Sequence, residues 1–178
     1  MKKKQLYDYK YFKPSEFQQI AWNLRQNGNA DWQDGMDNDL SVYLVNKLKN
    51  CQIIHVSDEI VAYYNYLMKT EKWYESKKFL TNEKSLDFLC YLKESILRSL
   101  GYFNFNTTDR IPIKHKFDLM IADGLEDTEP MQEASIMLIE NIRGERMMKI
   151  LERHLPGLNY AIKDYATEVL NELKAENK

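Results

Sequence analysis

Six glycines and four prolines across 178 residues leave this chain few places to reverse direction, and that scarcity restricts its fold more than any motif does. Sandwiches and barrels call for turn signals roughly every 8–12 residues, and the chain does not supply them. Helices need fewer. The expected class is all-α, a single-domain bundle of about six to eight helices with mostly short connections. Hydrophobic residues make up 44% of the sequence, enough for one core. Residues 1–178 are read as that one domain, with frayed ends expected at 1–6 and 174–178.

Apolar spacing places the helices. "PSEFQQIAWNLRQNG" puts Phe17, Ile20, Ala21 and Leu24 on one face behind Pro14, and Gly28 stops it. "DNDLSVYLVNKLKN" carries Leu40, Tyr43, Leu44 and Leu48. "CQIIHV" reads as a short strand or extended link, after which a long helix begins with Ser57 as N-cap and Asp58 and Glu59 in its first turn. The next, over about 82–100, presents Leu86, Leu89, Leu92, Ile96 and Leu100, with Gly101 placed for a left-handed C-terminal cap.

"YFNFNTTDRIP" is a loop, because Asn and Thr compete with helix and Ile111 precedes a proline. "IKHKFDLMIADG" returns to helical spacing through Ile113, Phe117 and Ile121 and ends at Gly124. Another helix starts at Asp127 or Thr128 with Pro130 in its first turn. Gly144 either separates that helix from "ERMMKILERHL" or lies inside a longer kinked one. Pro156 and Gly157 precede a final helix bearing Leu158, Ile162, Tyr165, Val169 and Leu173.

The aspartates of "NADWQDGMDNDLSVYL" invite a calcium reading that fails on register. Counting from Asp31 puts Met36 at the position of the turn glycine and Val42 at that of the closing acid; counting from Asp34 puts Asp39 and Val45 there. The stretch reads instead as a helix entry capped by Asp37 or Asn38. His55, His115 and His154 form no HxxxH or ExxH pair, and Cys51 and Cys90 lack a CxxC partner, so no metal or cofactor and no disulfide is expected. Glu129, Glu133 and Glu140 read as solvated acids opposite Met131, Ala134, Leu138 and Ile142. There is no phosphate-cradling loop and no nucleophile elbow, so no catalytic residue is assigned and an enzyme is disfavoured.

Two surfaces remain as candidates. Arg143, Arg146, Lys149 and Arg153 share a quadrant of one helix if residues 143–153 are continuous, a face suited to phosphates or an acidic partner; "RIPIKHKF" and the N-terminal lysines could extend it. Twelve tyrosines and three tryptophans exceed what a helical core needs, and Tyr63, Tyr66, Trp73 and Tyr74 on the long helix form the candidate aromatic surface. A formal charge of -2 gives no global field toward nucleic acid or membrane. No apolar run reaches the roughly 20 residues of a membrane span. The sequence therefore points to a cytoplasmic, non-enzymatic protein-interaction module, a regulator or inhibitor from a bacterium or mobile element, with self-association as one form of partnership. The alternative is a nucleic-acid-binding accessory protein using the basic helix around 143–153.

Overall fold

A computed structural model of the chain describes residues 7–27, 39–50, 53–76, 83–103 and 115–177. Among them are eight α-helices and no strand: α1 (Pro14–Gln26), α2 (Asp39–Asn50), α3 (Ile53–Ser76), α4 (Glu83–Gly101), α5 (Asp118–Leu125), α6 (Glu129–Ile142), α7 (Glu145–His154) and α8 (Tyr160–Glu176). Single turns of 3-10 helix lead into α5 and follow α7. The all-α bundle is thus observed. The aspartate stretch at 29–38, the 104–112 part of the loop, Cys51 and the lysines at 2–4 lie outside the described residues, as do Arg110 and Lys114 of the second basic segment.

Helix α4 is the axis of the bundle, packed against α2, α3 and above all α6, while α6 in turn receives α5, α7 and α8. Leu92, Ile96, Leu97 and Leu100 bring α4 into the same core as Leu138 and Ile139 of α6. Burying side chains of this size stabilises by about 1.5–3 kcal/mol each, so the α4–α6 seam carries much of the fold.

Ahead of α1, residues 7–13 form a non-helical strap held by one acid. Glu59, almost fully buried near the start of α3, accepts the backbone N–H groups of Lys10, Tyr11 and Phe12 at 2.8, 2.8 and 2.5 Å. The carboxylate does for the strap what a neighbouring strand would do, satisfying three donors at once. Phe12 is thereby fixed in the core against Phe17 and Tyr63.

Four local expectations are corrected. Ile53–Val56 are helical rather than extended, because Val56 and Ile60 bury completely on one face of α3 and packing overrides the weak strand preference of a β-branched run. Ser57 is consequently a buried residue inside α3 and not its cap. Gly101 is the last residue of α4 and not a left-handed cap. Gly124 does not terminate α5 but lies within it, where a Cβ would come within 2.1 Å of Ser135 Oγ and 2.9 Å of Leu97 Cδ1, so the glycine allows α5 to approach α4 and α6.

The open choice at Gly144 is resolved as a break. Arg143 and Gly144 both take positive φ, 59° and 92°, which ends α6 and starts α7 afresh. Thr128 and Asn159 stand at the N-caps of α6 and α8, and Asn159 Oδ1 accepts the Ala161 N–H at 3.0 Å.

Candidate functional site

Besides the basic and aromatic surfaces that the sequence exposed, polar chemistry concentrates around two buried cations. The first is a lysine inside the bundle. Lys93 of α4 has no solvent exposure, and its ammonium donates to Glu71 of α3 at 2.6 Å, to Asp127 at 2.8 Å and to Asp123 of α5 at 3.1 Å. Tyr64 of α3 donates its hydroxyl to the same Asp123 oxygen at 2.8 Å and presents its ring toward the ammonium. Three segments, α3, α5 and the turn after α5, therefore converge on one cation of α4.

Three carboxylates around one ammonium set the local titration. Burial alone would lower the Lys93 ammonium, yet hydrogen bonds to Asp127 and Glu71, with the charge of Asp123, outweigh it and hold the lysine above its ordinary value. Glu71 moves up because its desolvation, together with the nearby charges of Asp127 and Asp123, exceeds the attraction of Lys93. Cys90, beside this cluster and 3.7 Å from Thr128 Oγ1, has its thiol pushed up to about 11, chiefly by burial. Such a thiol stays protonated and unreactive at neutral pH. The cluster joins α3, α4 and α5, with its ammonium out of solvent and its three carboxylates about a fifth exposed or less.

A second buried cation works alike at the α4–α6 seam. Arg98 reaches Glu94 at 2.8 Å and Glu133 at 2.6 Å, and Tyr165 of α8 donates to Glu140 at 2.7 Å. Glu133 and Glu140, read from sequence as solvated, are half-buried anchors for α4 and α8; Glu129 is exposed as expected.

The basic face splits. Because α7 begins only at Glu145, Arg143 leaves the quadrant and pairs with Glu176 at 2.7 Å and Glu172 at 3.3 Å on α8. Arg146, Lys149 and Arg153 stay in one row beside a cleft of about 630 Å³ between α5 and α7, with Leu119, Ala122 and Ile150 contributing apolar surface. Arg146 pairs with Asp118 and Lys149 with Glu145 at 2.6 Å, whereas Arg153 makes no ion pair among the described residues. His154 closes the cleft, its Nδ1 2.8 Å from the Ile150 carbonyl and its Nε2 3.2 Å from Glu126. Of the other histidines read from sequence, His55 stacks on Tyr11.

The aromatic set also divides. Tyr63 is buried, on the core face of α3 with Val56, Ile60 and Leu67, and accepts a hydrogen bond from Gln18 at 2.8 Å. It therefore cannot belong to an exposed surface. Tyr66 stacks on it from outside and is 56% exposed; Trp73, two turns further along the same face, is 54% exposed and meets Tyr74 edge to face at 5.1 Å, while Tyr74 itself is half-buried. Tyr7 of the strap, 47% exposed, continues this surface through Tyr9.

No group of three or more His, Cys, Asp or Glu side chains suited to a metal ion occurs among the described residues, and no described helix is long and apolar enough to cross a membrane. Compared with protein-family models, curated proteins and solved structures, the chain has no significant match.

Proposed function

We propose that this protein is a non-enzymatic helical interaction module, a regulator or inhibitor that acts by contacting another protein through the outer face of α3. The observation that carries the reading is the pair Tyr66 and Trp73, each more than half exposed and two turns apart on one helix face. Tyr and Trp supply large contact area at small entropic cost and dominate binding energy where they occur in interfaces. Tyr7 widens the same surface from the strap. A second copy of the chain is one form this partner could take.

The nucleic-acid alternative loses support from the split basic face, since Arg143, Arg146 and Lys149 each carry a carboxylate partner and phosphate binding draws on cations free to replace counterions. Anisotropy with labelled duplex DNA and single-stranded RNA at low and raised salt tests it directly.

The interaction reading is tested by placing a photo-crosslinking amino acid at Tyr66, at Trp73 and, as a control, at the exposed Thr167 of α8, in the native host. Crosslinks from positions 66 and 73 to one and the same protein, or to a second copy, with none from 167, are the expected result. Equal crosslinking from all three positions, or none from 66 and 73, would overturn it.

A further inference from the structure

We propose that the cleft between α5 and α7 is a second partner surface, one that takes an acidic peptide segment with an apolar side chain among its carboxylates. Arg146, Lys149 and Arg153 recur at helical spacing along the α7 wall. From Arg146 to Arg153 the row runs about 10 Å at 1.5 Å per residue, too far for one phosphate or carboxylate to span. A ligand matching it carries several anions along its length, as a peptide does.

The rest of the cleft separates peptide from nucleic acid. Leu119 is 72% exposed at its edge, and Ile150 lies between the cations of the facing wall. An apolar side chain flanked by acids would cover both, whereas the sugar–phosphate backbone of a duplex, its bases stacked inside, has nothing to place there, and single-stranded DNA is left to the experiment below. Asp118 and Glu145 leave the five charged side chains lining the cleft, apart from His154, with a net charge of only +1, from three cations and two acids. That is little to hold a polyanion. It suits a ligand of modest charge whose carboxylates take over from Glu145, because Lys149 and Glu145 are both largely exposed and such a pair exchanges partners readily. Arg153, without an ion pair among the described residues, is the first point of contact.

This inference rests on the protein-interaction reading but uses a different surface, so the two can fail separately. The probe is a short fluorescein-labelled peptide of alternating glutamate and leucine, followed by anisotropy, with a lysine–leucine peptide and single-stranded DNA in parallel. Expected is salt-sensitive binding of the glutamate–leucine peptide that weakens about tenfold in Arg153→Glu and falls in Leu119→Ser, with circular dichroism unchanged because both residues are exposed. Binding should persist in the double variant Tyr66→Ser, Trp73→Ser, since neither residue lines the cleft, so a failure of the α3 crosslinking test would leave this result standing. No binding of the acidic peptide, equal binding of the basic one, indifference to Arg153→Glu, or tighter binding of DNA than of peptide would each overturn the proposal.

Discussion

Lys93 and Lys149 are both cations facing carboxylates, and their surroundings give the two pairings different work. The Lys93 side chain has no solvent exposure, and three acids, from α3, α5 and the turn after α5, share its one ammonium with Tyr64 of α3 beside them. On α7, Lys149 meets Glu145 at 2.6 Å with more than half of each side chain in solvent. A buried ion with its partner removed keeps its desolvation cost, whereas an exposed one is rehydrated at once. The interior charges therefore set the architecture, and the surface charges remain free to change partners.

The largest expected effect follows from breaking the interior set. Lys93→Met should cost about 3–5 kcal/mol in urea unfolding, because it leaves Glu71, Asp123 and Asp127 facing one another without a cation. Neutralising those acids in the same chain, with Glu71→Gln, Asp123→Asn and Asp127→Asn, should recover much of the loss; no recovery would mean that Lys93 acts through its packing. Tyr64→Phe removes one buried hydrogen bond to a charged acceptor and should cost about 1.5–3 kcal/mol, measured the same way.

Acid sharpens the comparison further. Glu71 binds its proton more tightly in the folded chain than in the unfolded one, so its contribution to stability is fullest below the ordinary carboxylate value and is lost as pH rises through the raised one. The difference in unfolding free energy between wild type and Glu71→Gln should therefore move in favour of the wild type as pH falls across that window. Urea titrations at a series of pH values would show it, and a shift of opposite sign would refute the assignment. Smallest of all, Lys149→Ala should leave the urea midpoint almost unchanged, with what difference there is shrinking in raised salt.

Helix positions were legible because an apolar repeat is a local signal. The spacing of Leu89, Leu92, Ile96 and Leu100 marks α4 without any knowledge of its neighbours. The start of α3 was not legible, since "IIHV" favours an extended chain until Val56 and Ile60 find the core. Gly124 likewise reads as punctuation until Ser135 and Leu97 arrive beside it.

The charged centre had a visible trace. Lys93 stands four residues after Leu89, three before Ile96 and seven before Leu100, squarely within the apolar stripe of α4. A lysine there must be paired or must leave the core, but nothing local says that Glu71, Asp123 and Asp127 supply the partners. The candidate surfaces show the same limit from outside. Periodicity groups Arg143 with Arg146 only if the helix is continuous, and two positive φ angles at 143 and 144 undo that grouping. Tyr63 and Tyr66 are both tyrosines of α3, and burial alone assigns one to the core and the other to the surface.

The most direct test of the division between interior and surface ions is NMR observation of lysine ammonium groups in ¹⁵N-labelled protein at neutral pH. The account predicts that the Lys93 ammonium, shielded from water and held by three carboxylates, exchanges slowly enough to give a signal that Lys93→Met removes, while the exposed Lys149 ammonium is lost to exchange. An absent Lys93 signal with the fold intact, or equal exchange at the two lysines, would contradict it.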